Sequence, residues 1–190
     1  MGTKFSTRVW VSVVGIASIF LGSKGYADTV ISVADFGLKP DTRENAVAYV
    51  QKAIEACRGK EPVTLVFPEG RYDFWPQYAH EKNYYETNTY DVFPKRLAML
   101  FEGLHNITVD GNGSQFVMHD RIQPITVENC DGVTLKNFSI DWDIPLTAQA
   151  RVTKVGSDFF EIEINVLESP YIIEDGKLVF VGEGWKSALG

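Results

Sequence analysis

The sequence predicts an all-β fold: a parallel β-helix with a capping helix near its start and the opening of an antiparallel β module at its end. Three observations predict it. First, Met99–Val109 and Ile125–Leu135 align at an offset of 26 residues, with Phe101 on Val127 and Ile107 on Val133. Each copy is a short apolar run, a polar turn (Gly103 to Asn106, Asn129 to Gly132) and a second short run. Strands this short, repeated with Asn, Asp and Gly at the corners, bury their apolar faces by stacking as coils of a solenoid. Second, a single amphipathic helical pattern precedes the repeat, and the open end of a solenoid needs such a cap. Third, from Ala148 onward the apolar spacing changes to strict alternation, the mark of antiparallel sheet.

The elements follow in chain order. Residues 1–27 read as a secretory signal: Lys4 and Arg8, then the apolar run Val9 to Leu21, then Gly25-Tyr26-Ala27 before a cut near Ala27. The apolar run falls short of the about 20 residues of a comfortable membrane span, and an uncleaved anchor is the alternative. The expected location is therefore secreted or periplasmic, with no stable membrane span after cleavage. Residues 28–147 form the N-terminal part of the β-helix. Thr29–Val33 is its first strand, and Gly37 to Asp41 a turn. Thr42 is a fair N-cap for a helix whose stripe is Ala46, Val47, Val50, Ile54 and Cys57. Gly59 ends that helix. Val63–Phe67 is the next strand and Pro68-Glu69-Gly70 the next turn.

Arg71 to Arg96 keeps no single period. It carries Tyr72, Phe74, Trp75, Tyr78, Tyr84, Tyr85, Tyr90 and Phe93 among polar residues such as Asn88. It reads as a long ordered loop with one helical turn near Gln77 to Lys82, its aromatic content arguing against disorder. The two repeated segments and their partners then run from Ile107 to Asp143. Residues 148–190 hold Ala150–Val155, Phe159–Ile164 and Lys177–Val181 as alternating strands, with Gly156-Ser157-Asp158 and Asp175-Gly176 as hairpin turns. No terminal element closes this module, so the chain reads as the front part of something longer.

With 190 residues and 45% hydrophobic content, the chain can build one ordinary core. Its net charge of −7 becomes −10 once the signal, with Lys4, Arg8 and Lys24, is removed. That balance repels phosphate backbones, which disfavours nucleic acid, and it makes anionic polymers poorer substrates than neutral glycans. Two cysteines, Cys57 and Cys130, do not make a disulfide scaffold and read as small buried residues.

The chemistry-bearing candidates are few. His80, His105 and His119 have no metal-ligand spacing, and no metal or cofactor is expected. Asp110-Gly-Asn-Gly-Ser114 opens like a calcium loop but lacks the closing Glu, and a tight turn accounts for its glycines. Asp141-Trp142-Asp143 is the best constellation, because alternation places the two carboxylates on one face and the indole on the other. Carboxylates hydrogen-bond sugar hydroxyls and an indole stacks on a pyranose, although a turn leaving the last strand fits the same residues. Tyr84, Tyr85 and Asn88 form a second candidate contact set, as either a sugar platform or a side cap over the core. Trp75 suits packing better.

Further residues carry a resemblance. Val33-Ala-Asp-Phe-Gly37, Asp41, Ala53-Ile-Glu-Ala-Cys57 and Leu65-Val-Phe-Pro-Glu-Gly-Arg-Tyr72 resemble the N-terminal region of pectate-lyase-like and polygalacturonase-like proteins, which implies a right-handed β-helix. Tyr72-Asp-Phe-Trp-Pro76, Asn88-Thr89, Ile107-Thr-Val-Asp-Gly-Asn-Gly-Ser114 and Asn137-Phe-Ser-Ile-Asp-Trp-Asp143 together look like glycoside hydrolase family 110, the exo-acting bacterial α-1,3-galactosidases. The resemblance implies an inverting hydrolase for terminal α-1,3-linked galactose, without a metal. Its catalytic aspartates are expected beyond Gly190, so Asp141 and Asp143 would bind sugar rather than transfer a proton, and the 190-residue chain alone would be inactive. A polysaccharide lyase or polygalacturonase-like enzyme of the same fold, or a non-catalytic glycan-binding or structural β-helix, are the alternatives.

Overall fold

The computed structural model describes residues 29–83 and 94–188. It is mostly strand, with one α-helix, as an all-β reading requires. The first half stacks strands in two groups, all parallel except the short strand His80–Lys82, which pairs antiparallel. One group contains β1 (Thr29–Ser32), β2 (Val63–Val66), β3 (Arg71–Phe74), β6 (His105–Met118) and β8 (Asp131–Trp142). The other contains β4 (His80–Lys82), β5 (Lys95–Glu102) and β7 (Gln123–Glu128). Met99 faces Ile125 across β5 and β7, and Ile107 faces Val133 across β6 and β8. The two segments aligned in the sequence therefore lie side by side. Parallel pairing continues downward, with Thr29 beside Val63 and Val63 beside Ile107.

The corners use the residue types that the turns demand. Asn106 and Asn129 adopt positive φ (48° and 51°), as do Gly103 and Gly132. Asn tolerates this region better than most side chains, and Gly best of all. Gly132 has a second reason: a Cβ there would stand 2.7 Å from the Asn106 side-chain oxygen on the neighbouring strand β6. The Asp110–Ser114 segment does not end the strand. It is an irregularity within β6, where the register against β8 shifts. The Asp110 carboxylate accepts from the Asn112 N–H (2.9 Å) and the Asn137 amide (3.0 Å) and lies near Lys136, and these contacts hold its carboxyl below the usual carboxylate range.

Helix α1 (Val47–Cys57) buries Val47, Val50, Ala53, Ile54 and Cys57 in the core, on the stripe that the sequence shows. Its start differs from expectation. Thr42 is not the cap; its hydroxyl accepts from Glu44 N–H within the preceding turn. Asn45 does the capping, its side-chain oxygen accepting from Val47 N–H at 3.1 Å, because it lies close enough to reach the helix's free donors.

The aromatic segment also departs from expectation. Arg71–Phe74 is a strand beside Gln115–Met118, and His80–Lys82 pairs antiparallel with Lys95–Leu97, so no helical turn lies near Gln77 to Lys82. The alternation was present in Arg71-Tyr-Asp-Phe74: Tyr72 and Phe74 turn into the core while Arg71 stays half-exposed. Phe116 centres an aromatic cluster with Phe67 (4.7 Å between centroids), Phe138 (4.8 Å), Phe74 (5.6 Å) and Tyr72 (6.2 Å). Burial, with the nearby Asp41 charge, pushes the Tyr72 phenol up to about 12, and its hydroxyl donates to the Pro68 carbonyl at 2.6 Å.

The second half is antiparallel, as expected. β9 (Arg151–Val155) pairs with β10 (Phe160–Glu163), and β12 (Lys177–Val181) lies between β11 (Tyr171–Glu174) and β13 (Lys186–Ala188). Glu174 faces Lys177, leaving Asp175-Gly176 as a two-residue loop with both φ positive (52° and 73°). That is the geometry an Asp-Gly hairpin supplies without splaying its strands. Cys57 and Cys130 are free thiols. Among the described residues no helix is long and apolar enough to cross a membrane.

Candidate functional site

The parallel ladder brings one residue from each of three strand ends into a column. Phe74, Met118 and Trp142 are in register. One residue further, His119 N–H donates to the Phe74 carbonyl (3.0 Å) and Asp143 N–H to the Met118 carbonyl (3.1 Å). The ladder thus runs past the strand ends and sets Trp75, His119 and Asp143 above one another. The Trp75 and His119 rings stack at 3.6 Å with 5° between their planes.

Around this column lies a charged network. Asp73 is buried, with its side chain 1% exposed, and it accepts two contacts from the Arg71 fork (2.6 and 3.0 Å) and one from His119 Nε2 (2.8 Å). The same Arg71 nitrogen donates to Asp143 at 2.7 Å. His119 Nδ1 meets Glu183 at 2.6 Å. Arg43 stands 3.6 Å from Asp73 and 3.7 Å from Asp143, held by a backbone with φ of 61°. Positive φ in a residue other than Gly, Asn or Asp is uncommon and costs strain. Here it aims a half-solvated guanidinium at the two carboxylates.

Burial alone would push the Asp73 carboxyl up, but the Arg71 guanidinium and the His119 ring outweigh it and hold the group below the usual range. Arg71 is raised in turn, chiefly by its hydrogen bonds to Asp73 and also to Asp143, against the effect of burial. An aspartate kept ionised in this way is unsuited to act as a general acid. Asp73 and Asp143 also share one guanidinium nitrogen, which holds them too close for the ~6.5–9.5 Å separation of an inverting pair. Donor atoms of His119, Asp143 and Glu183 lie within 4.8 Å of one another, a spacing at which three ligands could hold a cation. Arg71 already brings positive charge to Asp143 there. The network can bind and orient hydroxyl groups: Asp143 and Arg43 are its solvent-facing acceptor and donor, and Trp75 and His119 form a rigid wall.

Of the sugar-contact residues singled out in the sequence, only Asp143 enters this network; His119, set aside there as a metal ligand, enters it as well, and Trp75 packs on the His119 ring. Asp141 is exposed and turns back to accept its neighbour's N–H, from Trp142, at 2.8 Å. Trp142 packs against the core and its indole N–H donates to the Asp120 carbonyl at 3.2 Å. Tyr84, Tyr85 and Asn88 lie outside the described residues. Sequence reading missed Arg43, Arg71, Asp73, His119 and Glu183. Arg71 and Asp73 share a strand face and could have been found from their alternation. No sequence spacing announces His119 and Glu183, which are 64 residues apart.

Known proteins resemble this chain over most of its residues. A family profile described as GLAA-B beta-barrel domain I matches residues 148–190. The chain is 62% identical over 163 residues to alpha-1,3-galactosidase B of Bacteroides thetaiotaomicron, covering 86% of this chain and 26% of that one. Over the matched residues the chain is related to proteins named alpha-1,3-galactosidase, and over 148–190 to the GLAA-B beta-barrel domain I profile. Its similarity extends to alpha-1,3-galactosidase A of Shewanella woodyi (37% over 160 residues, 84% of this chain and 26% of that one). It extends also to alpha-1,3-galactosidase B of Phocaeicola vulgatus (36% over 184 residues, 95% of this chain and 29% of that one). The chain spans about a quarter of the length of these relatives.

Proposed function

We propose that this chain is the N-terminal part of a secreted or periplasmic, exo-acting, inverting α-1,3-galactosidase that removes terminal α-galactose from glycans. The 62% identity to a relative named alpha-1,3-galactosidase B carries the reading. The scaffold is a right-handed parallel β-helix over residues 28–147, supported by the parallel registers of β1, β2, β6 and β8 and of β5 and β7. Residues 148–190 open an antiparallel barrel module, and residues 1–27 export the chain.

In this reading Asp143 and Arg43 hydrogen-bond the galactose hydroxyls, while Arg71 and Asp73 fix Asp143 in place. The catalytic acid and base are expected beyond Gly190, as the family resemblance implies, and Asp73, held ionised and sharing Arg71 with Asp143, does not suit either role. The sugar, being neutral, suits a site whose charges already neutralise one another.

Isothermal titration of the purified chain with galactose and its α-1,3-linked disaccharide tests this. Binding lost in Asp143→Ala and kept in Lys154→Ala, a substitution in the antiparallel part, is the expected result. Absence of binding by the unaltered chain would sink the sugar-site assignment. Release of galactose by the 190-residue chain would overturn the placement of the catalytic pair.

A further inference from the structure

The turn between β12 and β13 contacts the column at one point. Gly182 N–H donates to the Trp185 carbonyl (2.9 Å), which closes the turn, and Glu183 projects from it. The two carboxylate oxygens of Glu183 go to two different groups: one meets His119 Nδ1 at 2.6 Å and the other accepts the Asp120 N–H at 2.8 Å. Gly184 lies against Asp120 so closely that a Cβ would stand 2.0 Å from its carboxylate. A side chain there would have to displace the Asp120 carboxylate. Among the described residues, no strand from Arg151 onward pairs with a strand of the parallel stack.

Burial fixes how much this contact matters. The Glu183 side chain is 16% exposed and that of His119 3%. A carboxylate and an imidazole so far from water depend on each other, since removing one strands the other without a partner. The chain leaves the column at Asp143 and returns to it at Glu183. Everything between is tied down by this turn on one side and by the connection after Asp143 on the other.

We propose that Glu183 and Gly184 form a latch that locks residues 148–188 onto the column and that Glu183, acting through His119, is a positioning residue for the Asp143 site. His119 is gripped from both sides, by Glu183 on Nδ1 and by Asp73 on Nε2, and Asp73 shares Arg71 with Asp143. The latch therefore reaches Asp143 through four consecutive polar contacts. The antiparallel part is then a wall of the site held at a set distance, not a freely hinged appendage.

The latch has a direct readout. In the full 190-residue chain, amide exchange at Asp120 reports the Glu183 bond, and the His119 ring nitrogens report the other contact by NMR. Glu183→Ala and Gly184→Ala should each speed Asp120 exchange roughly tenfold or more and shift the His119 ring signals, while Val109 and Phe116 keep their protection. Glu183→Gln removes the charge and exchanges one acceptor oxygen for an amide that only donates, so the His119 contact persists only with Nδ1 as the acceptor, a change the ring signals report; it decides the case if the alanine variant unfolds. Unchanged Asp120 exchange and unchanged His119 signals in both Glu183→Gln and Gly184→Ala would overturn the proposal. The positioning role rests on the galactose reading and has its own arm: galactose affinity should fall several-fold in Glu183→Gln. If the unaltered chain binds no galactose, that reading fails while the exchange experiment still decides the latch; unchanged affinity with altered exchange rejects the positioning role.

Discussion

Replacing Arg71 by Met should destabilise the chain through a carboxylate that the substitution does not touch. Asp73 is 1% exposed at its side chain, and Arg71 supplies its two-pronged cationic partner. The Met keeps much of the volume but leaves Asp73 with the solvated Arg43 guanidinium at 3.6 Å and the His119 ring as its remaining partners. Removing one member of a buried ion pair costs about 3–5 kcal/mol, mostly from the charge left behind. For a chain of this size each kcal/mol moves Tm by about 2–4 °C, so a fall on the order of 10 °C is expected. Arg71→Lys, a point charge without the fork, should lie between the two proteins.

The pH dependence isolates the cause. Asp73's carboxyl is held below its ordinary value of 3.8 in the folded chain, so its stabilising contribution is present above that value and is lost as pH falls through the folded one. In the Met variant burial is no longer outweighed, so the carboxyl rises and takes up its proton earlier. The stability gap should be widest near pH 7 and should narrow on acidification toward pH ~4. Urea unfolding followed by circular dichroism at both pH values measures it. A gap below ~1 kcal/mol at pH 7, or one that stays constant between the two pH values, would refute the reasoning.

Other consequences are open to simple assays. Phe116→Ala removes the ring at the centre of four aromatic neighbours and should cost about 3–5 kcal/mol in chemical denaturation. Burial pushes the Cys57 thiol up to about 11, so at pH 8 iodoacetamide should label half-buried Cys130 well before Cys57; equal rates would contradict the buried placement. Gly132→Ala should destabilise more than Gly176→Ala, although their φ values are nearly equal (70° and 73°). The first adds a clash with Asn106, whereas the second meets nothing within 4 Å and carries only the left-handed backbone cost of about 1 kcal/mol. Matching Tm values for the two would show that the Asn106 contact is slack.

Local features of the fold were legible because they repeat or follow turn chemistry. The offset between Ile107 and Val133 appears unchanged as a strand register, and Asp175-Gly176 sits where its dihedral preferences put it. The helix stripe from Val47 to Cys57 needed only its period. Reading failed where competition between signals hid the period. Around Tyr72 and Phe74 the alternation lasts four residues before Trp75 and Pro76 blur it, so a strand passed for a loop. Thr42 and Asn45 are both good caps, and only three-dimensional proximity chooses Asn45. The column was hidden for a different reason. The register shift between Asp110 and Ser114 moves the pairing from Ile107–Val133 to Phe116–Ile140, which breaks the constant offset just before the strand ends that matter. Glu183 reaches His119 across a change of sheet type, and no periodic signal spans that.

The column of Trp75, His119 and Asp143 has a consequence for how such a surface can vary. Each member is chosen by counting along its own strand from the ladder below, not by the length of the connections between strands. Lengthening or shortening an outer connection leaves all three in place, whereas deleting a single residue between Gln115 and Met118 would put Asp120 in the position of His119 and turn the inward faces outward. Natural diversity, and any attempt to graft a new specificity, should therefore concentrate in the connections and spare the strand lengths.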